Sequence, residues 1–294
     1  MKALVITEGA DAARELTAGA RTLADEVVLV SFAEAPEGVA DKVACIAVPE
    51  GSIVDDAADT VISLFDAEQP GIVLMEPTRR MKSIAGRLAA HAGTAVITDV
   101  MSFEGGGAKS LYFGGVGERV QKACGGVAIY TVGAGTFAEA QPSGANTVLN
   151  IAWVTPAHPV ELVDRKPIQK SGVDLFKADA VVAAGRGFAE EADLDLARAL
   201  VEKIGGGLAC SRPLTEGVNW LPTETYVGVS GLMLSPKVYV ATGISGQMQH
   251  MVGCNRASTL FAINKDKNAP VFKQCDYGLV GDVKEVIPAL VAAL

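Results

Sequence analysis

Short apolar runs alternate with amphipathic segments twice along this 294-residue chain, and that rhythm restricts its possible folds more than any other feature. "KALVIT" reads as a strand and "DAARELTAGARTLA" as an amphipathic helix. "EVVLVSF", "KVACIAVP", "PGIVLME" and "TAVITDV" read as further strands, with helices in "IVDDAADTVISLFDAEQ" and "PTRRMKSIAGRLAAHAG". Apolar strands separated by helical periods predict a parallel sheet covered on both faces. From about residue 101 to 154 the sequence turns Gly-rich with short β-like pieces, which predicts an antiparallel excursion on the same domain. The rhythm then returns in "ADAVVAAG", "FAEEADLDLARALVEKIGG", "KVYVATG", "SGQMQHMVGC", "STLFAIN" and "DVKEVIPALVAAL". The expectation is an α/β protein of two domains, each with a mainly parallel sheet flanked by helices. Residues 155–178 carry prolines and mixed charge without helical periodicity and read as an extended linker. That puts the boundary near 165–172 and divides 1–168 from 169–294.

Composition narrows the function classes. The formal net charge is −9, so nucleic-acid binding through bulk charge is excluded. No apolar run approaches the roughly 18 residues of a membrane span. The start, "MKALVITEGADAAREL", reads as a strand entering a helix and lacks the pattern of a signal peptide. The cysteines, Cys45, Cys124, Cys210, Cys254 and Cys275, are scattered and form no CxxC. They read as reduced thiols of a cytoplasmic protein without a metal site.

In such sheets, ligands bind beyond the C-terminal ends of the strands. The turns "GRG" (185–187), "GISG" (243–246) and "NKD" (264–266) should therefore share one rim. Gly185 and Gly187 permit a tight turn and close backbone approach, and Arg186 adds a permanent charge. A dinucleotide fingerprint would need glycine at 190, where the chain has Glu190. In "TGISGQMQH", Ser245 sits where a helix N-cap is expected, with Gly246 just inside, and free N–H groups there favour a pyrophosphate. His250 projects from about the second turn; a lone histidine is more often structural, and the anion-ready start tips this one towards function.

Other positions keep two readings each. Arg212, directly before Pro213, is biased to extended backbone, either to meet a phosphate or planar ring or as an ordinary surface arginine. Gly228, Ser230 and Gly231 make either a loop pressed on a ligand, with Ser230 as donor, or a tight turn. Asn264 can bond a ribose or adenine edge, or cap a turn, and Asp282 reads first as the N-cap of the last helix. His91 and His158 read as structural or exposed, and "TRRMKSIAGR" as a solvated or docking face. There is no G-x-S-x-G elbow, P-loop or HExxH.

In order, "GRG", "CSRP", "VGVSG", "GISGQMQH", "AINKDKNAP" and "DYGLVGD" resemble the alpha subunit of electron-transfer flavoprotein over about residues 180–288. "CSRPLTEGVNW" is similar to the branch associated with carnitine metabolism and nitrogen fixation, and "PTRRMKSIAGRLAAHAGTAVITDV" to the family's amino-terminal domain. The resemblance implies a partner-facing amino-terminal domain and a Rossmann-like carboxy-terminal domain holding FAD. It also implies a heterodimer with a beta subunit that holds its own nucleotide. By motif, Arg186, Ser211, Ser245, Gly246, Gln247, Met248, Gln249, His250 and Asn264 should contact FAD. Val227, Gly228, Val229 and Ser230 match the family's "VGQT" contact segment, Asp282 matches the adenosine end, and Arg212 should lie by the isoalloxazine ring. The chain departs from the pattern at Val229-Ser230, which stand for Gln-Thr, and at Leu232, where many members have lysine.

The implied role is an electron carrier between a dehydrogenase, of the acyl-CoA type, and a downstream acceptor, without substrate turnover of its own. Reducing a flavin places negative charge near N1 and the C2 carbonyl, so a cation or strong donor there favours one-electron steps. Arg212 and His250 are the candidates, with Ser230 as a donor towards N5. The alternatives are a nucleotide-dependent oxidoreductase on a similar α/β fold, which the lack of a catalytic acid–base set disfavours, and a non-redox nucleotide-binding subunit.

Overall fold

The structure, a computed structural model, describes residues 1–115, 117–164, 166 and 173–294. The chain falls into two compact units, one drawn from Met1–Tyr112 and Gly117–Pro167, the other from Ile168–Leu294 together with Phe113–Val116. Apart from Lys166, the boundary expected at 165–172 lies outside the described residues.

In the first unit the strands are β1 (Lys2–Thr7), β2 (Glu26–Ser31), β3 (Lys42–Cys45), β4 (Ile72–Met75), β5 (Val96–Glu104), β6 (Gly107–Tyr112), β7 (Gly117–Gln121), β8 (Ala128–Val132) and β9 (Thr147–Val148). Their order is β7-β6-β5-β8-β4-β1-β2-β3-β9. Pairing is parallel from β5 through β8 to β9. The antiparallel excursion expected over 101–154 is confined to the β5-β6-β7 end; β8 and β9, in the same stretch, return to the sheet and pair in parallel. Helices α1 (Ala10–Leu23), α2 (Ala58–Glu68) and α3 (Arg79–His91) cover the sheet. α1 packs Ala13, Leu16 and Ala20 on one face, and α2 and α3 pack Val61, Leu64, Ile84 and Leu88 on the other. Two-sided burial explains why β1 and β2 read as unbroken apolar runs.

The start of the presumed linker belongs to this unit. Val154 N–H donates to Thr60 Oγ1, Val160 N–H to Asp56 Oδ2 and Leu162 N–H to the Gly51 carbonyl, each at 2.9 Å. On α3 Arg80 pairs with Glu8, Lys82 with Asp99 and Arg87 with Asp59, while His91 Nε2 lies 2.9 Å from Asp66, so much of this basic face is salt-bridged within the unit.

The second unit has five strands: β10 (Ala180–Ala184), β11 (Gly207–Cys210), β12 (Val238–Thr242), β13 (Thr259–Asn264) and β14 (Tyr277–Val280). All are parallel, in the order β11-β10-β12-β13-β14. Counted within the unit this is 2-1-3-4-5, the flavodoxin-type doubly wound order, with its topological switch between β10 and β12. Helices α4 (Leu194–Ile204) and α7 (Val283–Ala293) cover one face through Leu194, Leu200, Val283 and Ile287. The other face is covered by loops and the single-turn helix α6 (Met248–Met251), with Leu234, Met251, Cys254 and Val271 in its core. A second single-turn helix, α5 (Pro213–Glu216), follows β11. Among the described residues no helix is long and apolar enough to cross a membrane.

Candidate functional site

Parallel strands end on the same side, so the turns after β10, β12 and β13 meet at one edge of the second sheet. They line a cleft of 390 Å³ at the switch point, within the size range of small-molecule sites. The turn after β10 contributes Arg186 and Gly187, and the segment after β11 contributes Ser211 and Arg212. The loop before β12 contributes Val227, Gly228, Val229 and Ser230. From the turn after β12 come Ser245, Gln247, Gln249 and His250, while Asn264 and Asp282 complete the wall. Gly246 and Met248 do not line it.

The floor is made by glycines. Gly185 N–H donates to the Thr242 carbonyl and Gly187 N–H to the Gly243 carbonyl, each at 2.9 Å. A Cβ on Gly185 would lie 2.5 Å from that Gly243 oxygen. Gly187, Gly243, Ile244 and Lys265, in the turns expected on this rim but not assigned as cofactor contacts, also line the cleft, as does Tyr226, which no sequence signal marks.

Local conformation corrects three expectations. Arg212 is helical (φ −45°, ψ −41°), not extended. Its carbonyl accepts Thr215 and Glu216 N–H at 3.0 Å, so closing α5 outweighs the bias imposed by Pro213, which sits at the tolerated first helical position. Its guanidinium pairs with Glu216, so the cation at this edge of the cleft already has a partner. Ser245 is not an N-cap: α6 starts only at Met248, with Gln247 at the cap position and no side-chain cap. Gly246 is left-handed (φ +84°) and the Ser245 carbonyl accepts Val271 N–H at 3.0 Å, so the helix cannot begin there. A single-turn helix offers no appreciable macrodipole to a pyrophosphate.

The third concerns His250: of the two roles expected for it, cation or strong donor, its burial in the cofactor-free chain favours the neutral donor. Burial pushes its pKa from 6.5 down to about 4, with a smaller opposing effect from the Val227 backbone, so the ring is neutral at pH 7. Nε2 lies 3.0 Å from Tyr239 Oη. Nδ1 is buried and makes no hydrogen bond of good geometry; the Val227 backbone is the polar group close enough to oppose the shift. A buried polar atom without a partner is costly, and Nδ1 is the one such side-chain atom among the described residues that line the cleft.

The remaining predicted residues divide by what already occupies them. Asn264 Nδ2 donates to the Ile244 carbonyl at 2.8 Å and its Oδ1 accepts Asp266 N–H at 2.9 Å, so it holds the 243–246 turn in place. Asp282 caps α7 by accepting Lys284 N–H at 2.9 Å. Glu190, at the place of the missing fingerprint glycine, caps the short 3₁₀ turn Glu191–Asp193 that precedes α4. The Gly-rich turn therefore serves close packing and does not open directly into a helix. Arg186 is exposed and makes no ion pair among the described residues. Ser230, Ser245, Gln247 and Gln249 are exposed polar groups around the cleft. Val229 N–H donates to the Gln249 carbonyl at 2.8 Å, which staples the 227–230 loop to α6.

The corresponding crevice of the first unit, between β1 and β4, is filled by the unit's own side chains. Glu76 accepts the N–H groups of Glu8 and Gly9 at 2.8 and 3.2 Å, where α1 begins. Thr78 donates to Glu8 at 2.6 Å and Arg80 pairs with Glu8. The two sheets differ in strand order, and their switch points carry a self-satisfied rim in one unit and a lined cleft in the other.

Comparison with known proteins agrees with this division. The family model for the electron transfer flavoprotein domain matches residues 4–153, and that for the electron transfer flavoprotein FAD-binding domain matches residues 174–255. Protein FixB of Salmonella typhimurium (strain LT2) is 39% identical over 293 residues, covering 95% of this chain and 94% of its own. Protein FixB of Escherichia coli O127:H6 is 41% identical over 253 residues, covering 84% and 81%. A solved benzoylformate decarboxylase from Polynucleobacter necessarius aligns over 98% of this chain and 58% of its own at 11% identity, with a TM-score of 0.28, too low to indicate a shared fold. The chain belongs to the electron-transfer flavoprotein family, as an FAD-binding alpha subunit of the FixB branch with an implied beta-subunit partner.

Proposed function

We propose that the cleft at the rim of β10, β12 and β13 is the FAD site and that residues 169–294 form the FAD domain, residues 1–168 facing the partner. In this reading the heterodimer works in the cytoplasm, taking electrons from an acyl-CoA-type dehydrogenase and passing them to a downstream acceptor. FAD supplies the reversible uptake and release of electrons. The chain's residues bind, orient and shield it. Gly185, Gly187 and Gly243 let the two turns pack backbone to backbone, and Gly187 and Gly243 line the cleft without side chains. Arg186, without an ion-pair partner, is placed to meet phosphate oxygens. Ser211, Ser245, Gln247 and Gln249 supply polar contacts, while Gly246 and Met248 shape the turn behind them. Val229 and Ser230 take the place of a Gln-Thr pair: the Ser230 hydroxyl remains a donor and Val229 supplies only apolar contact. His250, neutral, offers Nδ1 to the part of the ring where electron density rises on reduction, and a fixed dipole in a dry site stabilises that charge.

The observation that carries the proposal is the unpartnered, buried Nδ1 of His250 on a cleft lined at the switch point by Arg186, Ser211, Ser245 and Asn264. The test is a visible spectrum of this chain co-purified with its beta subunit, before and after Arg186→Ala and His250→Ala. Flavin absorbance that weakens with Arg186→Ala, and a flavin midpoint potential that falls with His250→Ala, are expected. Full FAD occupancy and an unchanged potential in both variants would place the cofactor elsewhere.

A further inference from the structure

Tyr239 takes no part in lining the cleft, yet it touches the residue on which the redox reading depends. It lies in the middle strand β12, fully buried, on the face covered by α6. α6 brings His250 over it, with ring centroids 6.3 Å apart and planes tilted by 55°. The phenol oxygen is 3.0 Å from Nε2. Nε2 is thereby turned into the core, and Nδ1 is the remaining ring nitrogen of this cleft-lining residue, itself buried.

The direction of that hydrogen bond decides what His250 can do. A neutral imidazole has one donor and one acceptor nitrogen, and the bond made by one sets the role of the other. A phenol with no exposed surface keeps its proton, because burial raises its pKa well above 10. That proton requires an acceptor. The other polar group beside Tyr239 is Cys254, whose Sγ donates towards the Met251 and His250 carbonyls at 3.5 and 3.9 Å. A thiol sulfur is a weak acceptor, and an imidazole nitrogen is a good one.

We propose that Tyr239 is a positioning residue of the redox site: its hydroxyl donates to His250 Nε2, which keeps the imidazole proton on Nδ1 and makes His250 a hydrogen-bond donor towards the cleft. This rests on the reading that the cleft holds FAD. In that setting a donor meets the carbonyl and nitrogen acceptors of the flavin, whose basicity grows on reduction, whereas the opposite tautomer would set lone pair against lone pair. Tyr239 would thus set the strength of the His250–cofactor bond without touching the cofactor.

The experiment uses the FAD-loaded heterodimer with ¹⁵N-histidine in this chain only. The chain has three histidines, so His91→Gln and His158→Gln, at two exposed positions, assign the third set of signals. Two-bond nitrogen–proton spectra then read the tautomer of His250. Wild type is expected to be neutral with the proton on Nδ1. Tyr239→Phe keeps the ring volume and removes the donor; in the FAD-free heterodimer, where no flavin acceptor holds the proton on Nδ1, it should lose the Nδ1–H pattern in favour of Nε2–H, and when loaded with FAD it should lower the flavin midpoint potential. A wild-type His250 protonated on Nε2 overturns the proposal by itself, even if Tyr239→Phe does not fold. A Tyr239→Phe protein with unchanged tautomer and potential overturns it equally. His250 signals that do not move on FAD loading would instead refute the location of the cofactor, while the tautomer would still report on Tyr239.

Discussion

Gly187 and Gly243 stand face to face at the switch point of the second sheet: Gly187 N–H donates to the Gly243 carbonyl at 2.9 Å, and a Cβ on Gly187 would fall 2.5 Å from Gly243 Cα. Gly243 is also left-handed (φ +63°), so neither position accepts a side chain. Gly187→Ala is expected to destabilise the chain by about 1–3 kcal/mol through overpacking and to reduce FAD occupancy by prying the two turns apart. Urea unfolding and the flavin-to-protein absorbance ratio check this.

Arg186 behaves oppositely. It is exposed and makes no ion pair among the described residues, so Arg186→Ala should leave the stability of the cofactor-free chain within about 0.5 kcal/mol. Loss of a charged contact to phosphate should still weaken FAD binding by about tenfold or more, from the ~1.5–3 kcal/mol of a charge-assisted hydrogen bond. Titration of the apo-heterodimer with FAD at two salt concentrations reads both affinity and screening. Arg186→Lys should restore only part of the affinity if the contact is bidentate.

Asn264 tests whether a cleft residue works by holding its neighbours. Its amide spans the Ile244 carbonyl and Asp266 N–H. Asn264→Ala leaves both groups without this partner and should cost about 1–3 kcal/mol. Asn264→Asp keeps the acceptor for Asp266 but meets the Ile244 carbonyl with a second acceptor, so it should be no more stable than the alanine variant. Thermal unfolding of the cofactor-free chain ranks the three proteins.

His250 gives the cofactor-free chain an acid-side weakness. Its folded pKa lies near 4, below the ordinary 6.5, with burial as the main cause. Above pH 6.5 the ring is neutral folded and unfolded, and it contributes no pH dependence. Below 6.5 the unfolded chain takes up a proton that the folded chain refuses, so stability falls until the folded ring itself protonates near pH 4. The full effect is at most about 3 kcal/mol. Stability measured from pH 7.5 to 4 should fall less steeply in His250→Gln than in wild type, and parallel curves would refute the depressed pKa.

Much of the architecture was legible along the chain because parallel, two-sided burial writes itself into composition. "ALVI" in β1 and "VVLVS" in β2 are buried throughout, and a strand covered on both faces has no polar alternation to confuse its reading. The edge strand β14 was passed over: "YGLV" is exposed at every position and lacks the β-branched density of the central strands. β11, "GLAC", carries little strand signal, because two glycines precede it and the third opens it. The Ser245 cap failed for a conformational reason, since a serine followed by glycine reads as a cap until Gly246 proves to be left-handed.

The sequence by itself determined the doubly wound α/β class, the family, and the set of turns that a parallel sheet must bring to one rim. Those follow from periodicity and from ordered motifs, which are local along the chain. The tertiary structure alone decided the protonation and partner of His250, the commitment of Arg212 to Glu216, and the role of Asn264 as a pin. Each depends on burial and on contacts between separate segments. Desolvation and hydrogen-bond direction are properties of the assembled site, and no spacing in the chain encodes them.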